Sequence, residues 1–184
     1  SIQAFDGTSG RKIWGNSEAH VGGIMGMSVS SNGKQLASVG QDGQLALWDF
    51  ADGQMQHRTE IASGWVEHVA WSKSSNHLAV SSGRVVTVLS SSGEKIWSSE
   101  NHPSTVSALE WVSDQELSTA CYGRVTFFNT SSGKENERLE WQGSLVSLAL
   151  SPDGNVVACG SQDTSVHFWR RSNGQDSMMS GYPW

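Results

Sequence analysis

HVGGIMGMSVSSNGKQLASVGQDGQLALWD, residues His20 to Asp49, decides the fold. Its first run, Ile24-Met-Gly-Met-Ser-Val29, places apolar residues at alternate positions, the pattern of a half-buried strand. The polar turn Ser31-Asn-Gly33 follows, then a second run over 35–39. The turn Gln41-Asp-Gly43 leads to a third run over 44–48, and a fourth occupies 54–58. Asn-Gly and Asp-Gly supply the positive φ that tight hairpins need. The reading is four short antiparallel strands, A to D, joined by tight turns.

The same plan recurs along the chain. The loops between the third and fourth strands close on Gly10, Gly53, Gly93, Gly133 and Gly174, spaced 43, 40, 40 and 41 residues apart. Trp48, Leu89, Phe128 and Trp169 keep the same beat, 41, 39 and 41 apart. Strand A returns as Val66-Glu-His-Val-Ala-Trp71, Val106-Ser-Ala-Leu-Glu-Trp111 and Leu145-Val-Ser-Leu-Ala-Leu150. A period near forty with four strands per unit is the signature of β-propeller blades. A helical repeat would show 3.6-residue apolar spacing and less glycine.

The predicted class is therefore all-β, a propeller of four-stranded antiparallel blades. Residues 1–19 read as a half blade, with strands C and D only. Full blades follow at 20–63, 64–102, 103–142 and 143–184, and Gly181-Tyr-Pro-Trp184 resembles the opening of a further unit. Four and a half blades do not close a ring of ordinary type. Three explanations stay open: a fragment of a larger propeller, self-association through open blade edges, or an extra half blade in a strained ring.

The stretch from His20 to Asp49 resembles the tryptophan–aspartate repeat family. His20 precedes strand A, Gly33 follows it by 13, and Leu36-Ala-Ser38, Asp42-Gly43 and Trp48-Asp49 complete the pattern. The resemblance implies a hydrogen-bonded network of His20, Ser38, Asp42 and Trp48 inside the blade. The chemistry supports it, because a carboxylate can accept from an imidazole N–H and a hydroxyl can link imidazole to indole. The rival reading, a Ser–His–Asp nucleophilic triad, is not needed to explain the spacing. The other units depart from the pattern. The second has Val80 and Leu89 for Ser and Trp. The third keeps His102 and Thr119, with Phe128 for Trp and Tyr122-Gly123 at the turn. The fourth keeps Asp163 and Trp169, with Cys159 for Ser and Trp141 for His.

Composition bounds the function. With 184 residues and a net charge of −6, the chain lacks the clustered Lys and Arg of a phosphate-binding surface, so no nucleic-acid partner is expected. Arg170-Arg171 reads as a solvated pair. No apolar run approaches the roughly 18 residues that cross a membrane. Cys121 and Cys159 read as buried free thiols, which favours a reducing compartment, the cytoplasm. No phosphate-cradling or dinucleotide motif is present, and no cofactor or metal is expected. His68 and His167 lie in strands and read as packed imidazoles, not ligands.

The leading functional reading is a non-catalytic scaffold that binds proteins or peptides through loops on one face of the blades. Gln41, Trp65, Ser104, Tyr122, Gln142 and Gln162 fall on that face by position. Trp48, Trp71 and Trp111 read as core. Trp65, Trp141 and Trp184 precede strand A, either as exposed anchors or as plugs between blades. Two alternatives remain: a half-propeller that acts only on oligomerisation, and an enzyme using Glu67, His68 and Glu110 in a central channel.

Overall fold

The computed structural model describes residues 1–180, all strand, turn and loop without a helix among them. Sixteen strands follow in order: β1 (Ile2–Phe5), β2 (Lys12–Asn16), β3 (Ile24–Val29), β4 (Gln35–Gly40), β5 (Gln44–Asp49), β6 (Met55–Glu60), β7 (His68–Trp71) and β8 (His77–Ser82) come first. β9 (Val85–Ser90), β10 (Lys95–Ser98), β11 (Ala108–Ser113), β12 (Glu116–Asn129), β13 (Glu135–Leu150), β14 (Val156–Ser161), β15 (Val166–Arg170) and β16 (Gln175–Met179) complete the chain. The fold class is that of four-stranded antiparallel propeller blades.

The turns explain the strand lengths. Between third and fourth strands, Gly53, Gly93 and Gly133 each donate their amide to the residue that ends the strand, and Gly10 donates to Asp6 just past β1, all at 2.8–2.9 Å. Gly53 has φ +73°, and a Cβ there would lie 2.5 Å from Trp14 of β2. Gly133 lies under Trp97 in the same way. The periodic glycines thus supply left-handed backbone and make room for a ring from the outer strand of the preceding blade.

Sheet order is β1-β2, β3-β4-β5-β6, β10-β9-β8-β7 and a six-stranded β11-β12-β13-β14-β15-β16. The last sheet holds the third and fourth repeats together. β12 doubles back at Tyr122-Gly123, where Gly123 has φ +87°, and Thr130 N donates to Gln115 O at 3.0 Å across its two ends. β13 passes from the third repeat to the fourth without a break, and Tyr122 pairs with Ser144 across the junction. The expected boundary between 142 and 143 therefore falls inside a strand. The longer loops at 61–67 and 99–107 separate the earlier repeats, whereas here Trp141-Gln142-Gly143 stays extended.

The chain divides into two compact units, Ser1–Gly83 with Thr87–Ile96, and Arg84–Val86 with the described residues from Trp97 on. The first unit has two cores. One packs Ala37, Val39, Leu45 and Leu47 against Val66, Trp71, Leu78, Val80 and Leu89. The other joins Ile2, Ala19, Leu36, Ala46 and Trp48. The second unit is built on Ala120, Val125, Phe127, Leu145, Val157, Cys159 and Trp169. Such burial of aliphatic and aromatic side chains is the main term holding sheets face to face.

Arg171 corrects the reading of Arg170-Arg171 as a solvated pair. Its guanidinium holds Glu116 at 2.9 Å and Glu137 at 2.6 Å, and sits 4.0 Å from the Phe127 ring centroid. Two carboxylates and an aromatic face replace the water that a surface arginine keeps.

Candidate functional site

In the first complete blade, four side chains form one chain of hydrogen bonds. His20 Nδ1 lies 2.8 Å from Asp42 Oδ1 and Nε2 lies 2.8 Å from Ser38 Oγ. The Trp48 indole donates to Ser38 Oγ at 2.9 Å. An ionised carboxylate only accepts, so Nδ1 carries the imidazole proton. Ser38 receives the indole proton and directs its own to Nε2. Burial works against ionising Asp42, but the His20 imidazole and the amides of Val21 and Gln44 outweigh it and hold the carboxyl below its ordinary range. Gly40 makes the arrangement possible, since a Cβ there would lie 2.7 Å from His20 Nδ1.

The third repeat keeps a shorter version. His102 Nδ1 donates to the Arg84 carbonyl at 3.0 Å, and Nε2 meets Thr119 Oγ1 at 3.0 Å. A backbone carbonyl takes the place of the aspartate. Burial lowers the imidazole's proton affinity despite the Arg84 carbonyl bond, and the Arg124 charge adds to that lowering.

The fourth repeat fills the same space with rings. Trp141 takes the place of His20, Cys159 that of Ser38 and Trp169 that of Trp48. His167 packs at a tilt between the indoles, 4.1 Å from Trp141 and 4.0 Å from Trp169 by ring centroids. Its two nitrogens have no hydrogen-bond partner among the described residues, and burial lowers its proton affinity against the pull of Asp176 and Asp163. Asp163 turns to its own loop and accepts from the Ser165 hydroxyl at 2.5 Å. Thr164 there has φ +69°, a conformation that a β-branched residue rarely takes.

The loop residues separate by unit. In the first, Gln41 folds back, its Oε1 accepting from Gly23 N at 2.8 Å, while Trp65 is 54 % exposed. In the second, Ser104 Oγ accepts from the Tyr122 amide at 2.8 Å and Gln162 N donates to Ser144 O at 2.9 Å. Tyr122, 57 % exposed, and Gln142 line an open hollow of about 950 Å³ with Pro103, Gly123, Arg124, Glu140 and Trp141. Trp141 is therefore both a wall of the hollow and a plug on His167. Trp184 lies outside the described residues.

Arg124 was not legible as a site residue, although the Tyr122-Gly123 turn makes it the first residue of the returning strand. It pairs across the sheet with Glu140, and its Nε is buried without a hydrogen bond among the described residues. Of the channel candidates, Glu67 accepts from Gly83 N at 3.0 Å within the first unit, and Glu110 belongs to the second. Among the described residues no cluster of three His, Cys, Asp or Glu is placed to hold a metal.

Comparison with known proteins agrees with this architecture. A family model described as outer membrane protein assembly factor BamB, of propeller type, matches residues 1–175. Meiotic fizzy-related protein 1 of Schizosaccharomyces pombe is 25 % identical over 165 residues, covering 85 % of this chain and 39 % of that protein. WD repeat-containing protein slp1 of the same yeast is 28 % identical over 180 residues, covering 87 % and 35 %. Actin-interacting protein 1 of Drosophila melanogaster is 26 % identical over 168 residues, covering 86 % and 28 %. The chain thus spans well under half the length of these relatives. Its similarity to WD-repeat proteins and its four-stranded repeats agree with the matched model, by which the chain belongs to the propeller-type family described as outer membrane protein assembly factor BamB.

Proposed function

We propose that the chain is a non-catalytic interaction module that binds a protein or peptide at the loops of its second unit. The observation that carries this reading is Tyr122. It stands 57 % exposed at the tip of a two-residue hairpin, with its amide pinned by Ser104. A large aromatic held on a rigid turn loses little entropy on binding, which is why interfaces favour tyrosine and tryptophan. Arg124 and Gln142 beside it offer polar contacts, and Pro103 and Trp141 offer apolar ones.

The relatives support the coarse statement, being WD-repeat scaffold and regulatory proteins, one of them named for interacting with actin. The Ser–His–Asp set does not form a nucleophilic triad open to substrate. Ser38 is fully buried and its hydroxyl oxygen already takes the Trp48 indole proton, so no substrate carbonyl reaches it.

The test is affinity capture with the intact chain and with the double variant Tyr122→Ala/Gln142→Ala. Both residues are exposed, so thermal unfolding should be unchanged. Loss of the captured proteins from the variant is expected. Retention of every one at wild-type yield would remove the hollow as the binding site.

A further inference from the structure

Three arginines of the chain are partly buried: Arg58, Arg124 and Arg171. Arg58 donates to the carbonyls of Glu18 and Ala19, and Arg171 donates to the carboxylates of Glu116 and Glu137. Arg124 donates to no oxygen among the described residues, and its Nε is closed off from water. The polar group it faces inside the unit is the Cys121 thiol, whose pKa burial raises and the Arg124 charge lowers. A thiol is a weak acceptor, and a guanidinium drawn partly out of water calls for an oxygen. Glu140 is in register with Arg124 across the sheet, yet the two side chains form no ion pair.

A second observation falls on the same hollow. Trp141, another of its walls, has its indole Nε1 buried without a partner among the described residues. Two residues whose nitrogens only donate therefore border one hollow and find no acceptor in the protein. Arg124 also borders a smaller hollow of about 320 Å³, but Glu100 and Glu135 both line that one, and Glu135 holds Arg138 there at 2.9 Å. In the larger hollow Glu140 is the one carboxylate among the lining residues, and it is exposed.

Charge and shape select the acceptor. A phosphoryl group carries about −1.5 to −2 and meets Glu140 and a chain of net charge −6. A carboxylate carries a single charge and matches the guanidinium fork with two parallel hydrogen bonds. The turn aspartates of a second copy, Asp6, Asp52, Asp153 and Asp163, already accept from their own loops, which favours a separate partner. We propose that Arg124 anchors an Asp or Glu side chain in a peptide segment of the partner, with an apolar neighbour of that residue lying on Tyr122. This rests on the reading that the Tyr122 hollow binds a protein or peptide, and adds the chemistry of what enters it.

Random peptides displayed on phage, panned on the intact chain, test the proposal. Selected peptides whose capture fails with Tyr122→Ala/Gln142→Ala are then synthesised, each with its acid and with the corresponding amide. They should share an Asp or Glu beside an apolar residue, and the amide form should bind at least about tenfold more weakly in fluorescence titration. Arg124→Gln should bind acid and amide forms alike, with unchanged thermal unfolding, and Arg124→Lys should keep part of the preference because it keeps the charge without the fork. A preference that survives Arg124→Gln overturns the proposal, as does tighter binding of a phosphoserine form. Peptides that need Tyr122 but no acid overturn the anchor and leave the hollow as the binding site. No peptide dependent on Tyr122 removes both. A dimer in sedimentation velocity that Arg124→Gln dissolves also overturns the proposal, by putting a second copy in the partner's place.

Discussion

The first and fourth blades fill one space with different chemistry. In the first, imidazole, hydroxyl, indole and carboxylate satisfy one another in a closed relay. In the fourth, an imidazole lies between two indoles with no hydrogen bond to either nitrogen among the described residues. Ser38 and Cys159 lie on second strands of the same length, β4 and β14, six residues each. The difference teaches that the repeat needs the volume of these side chains and the turns around them, and that the polar relay is one of several fillings. It also teaches that the relay is not a site. The residues most recognisable in the sequence are closed structural groups, and the exposed loop residues proposed to recognise partners follow no repeat pattern.

The largest test of the contrast is at the turn between second and third strands. Gly43 has φ +75°, and a Cβ there would collide with the Ala62 carbonyl. Gly43→Ala should cost about 3 kcal/mol in chemical denaturation, from left-handed strain and overpacking together. Thr164 holds the corresponding place in the fourth blade, exposed and at positive φ. Thr164→Gly should gain about 1 kcal/mol by releasing that strain. A gain at Gly43 or a loss at Thr164 would break the comparison.

A smaller difference is expected at the centre. Ser38→Ala leaves the Trp48 indole and one imidazole nitrogen buried without partners, at a cost of about 2–3 kcal/mol. Cys159→Ala removes only a buried thiol from the matching place, at about 1 kcal/mol. Equal losses in urea titrations would mean that the relay adds nothing beyond packing.

The pH dependence sharpens the contrast further. His102 and His167 in the second unit are held below the ordinary imidazole value by burial. The unfolded chain then takes up protons that the folded unit refuses, so their contribution is present above about pH 6.5 and is lost as pH falls from there toward the folded values. Asp42 in the first unit runs at lower pH. Its folded carboxyl titrates below the ordinary 3.8, so its contribution persists above that value and is lost as pH falls through the folded one. Hydrogen exchange at pH 7.5 and 5 should show the second unit loosening first. His167→Phe, which keeps the ring and removes the proton site, should flatten part of that response.

The strand framework was legible because its signals are local. A glycine that must be left-handed and a two-residue polar turn recur every forty residues whatever lies between them. The positions of His20, Ser38, Asp42 and Trp48 were legible for a related reason, since their side chains suit one another. Other features depend on residues far apart in sequence. Arg171 reaches Glu116 and Glu137, 55 and 34 residues away, and nothing beside it announces them. His167 joins the Trp141–Trp169 pair from two residues before Trp169, a same-face spacing on a strand that gave a usable hint. The run-on of β13 was hidden because Gly143 reads as a turn although the backbone there stays extended. The Tyr122–Gln142 hollow was visible only as two loop residues of unknown distance.

The most direct measurement is a long-range proton–nitrogen NMR spectrum of the histidine rings at neutral pH. The account predicts that His20 appears as the Nδ1–H tautomer with a slowly exchanging ring proton held by Asp42, and that His167 gives no such protected proton. A protected ring proton on His167, with rapid exchange at His20, would contradict it.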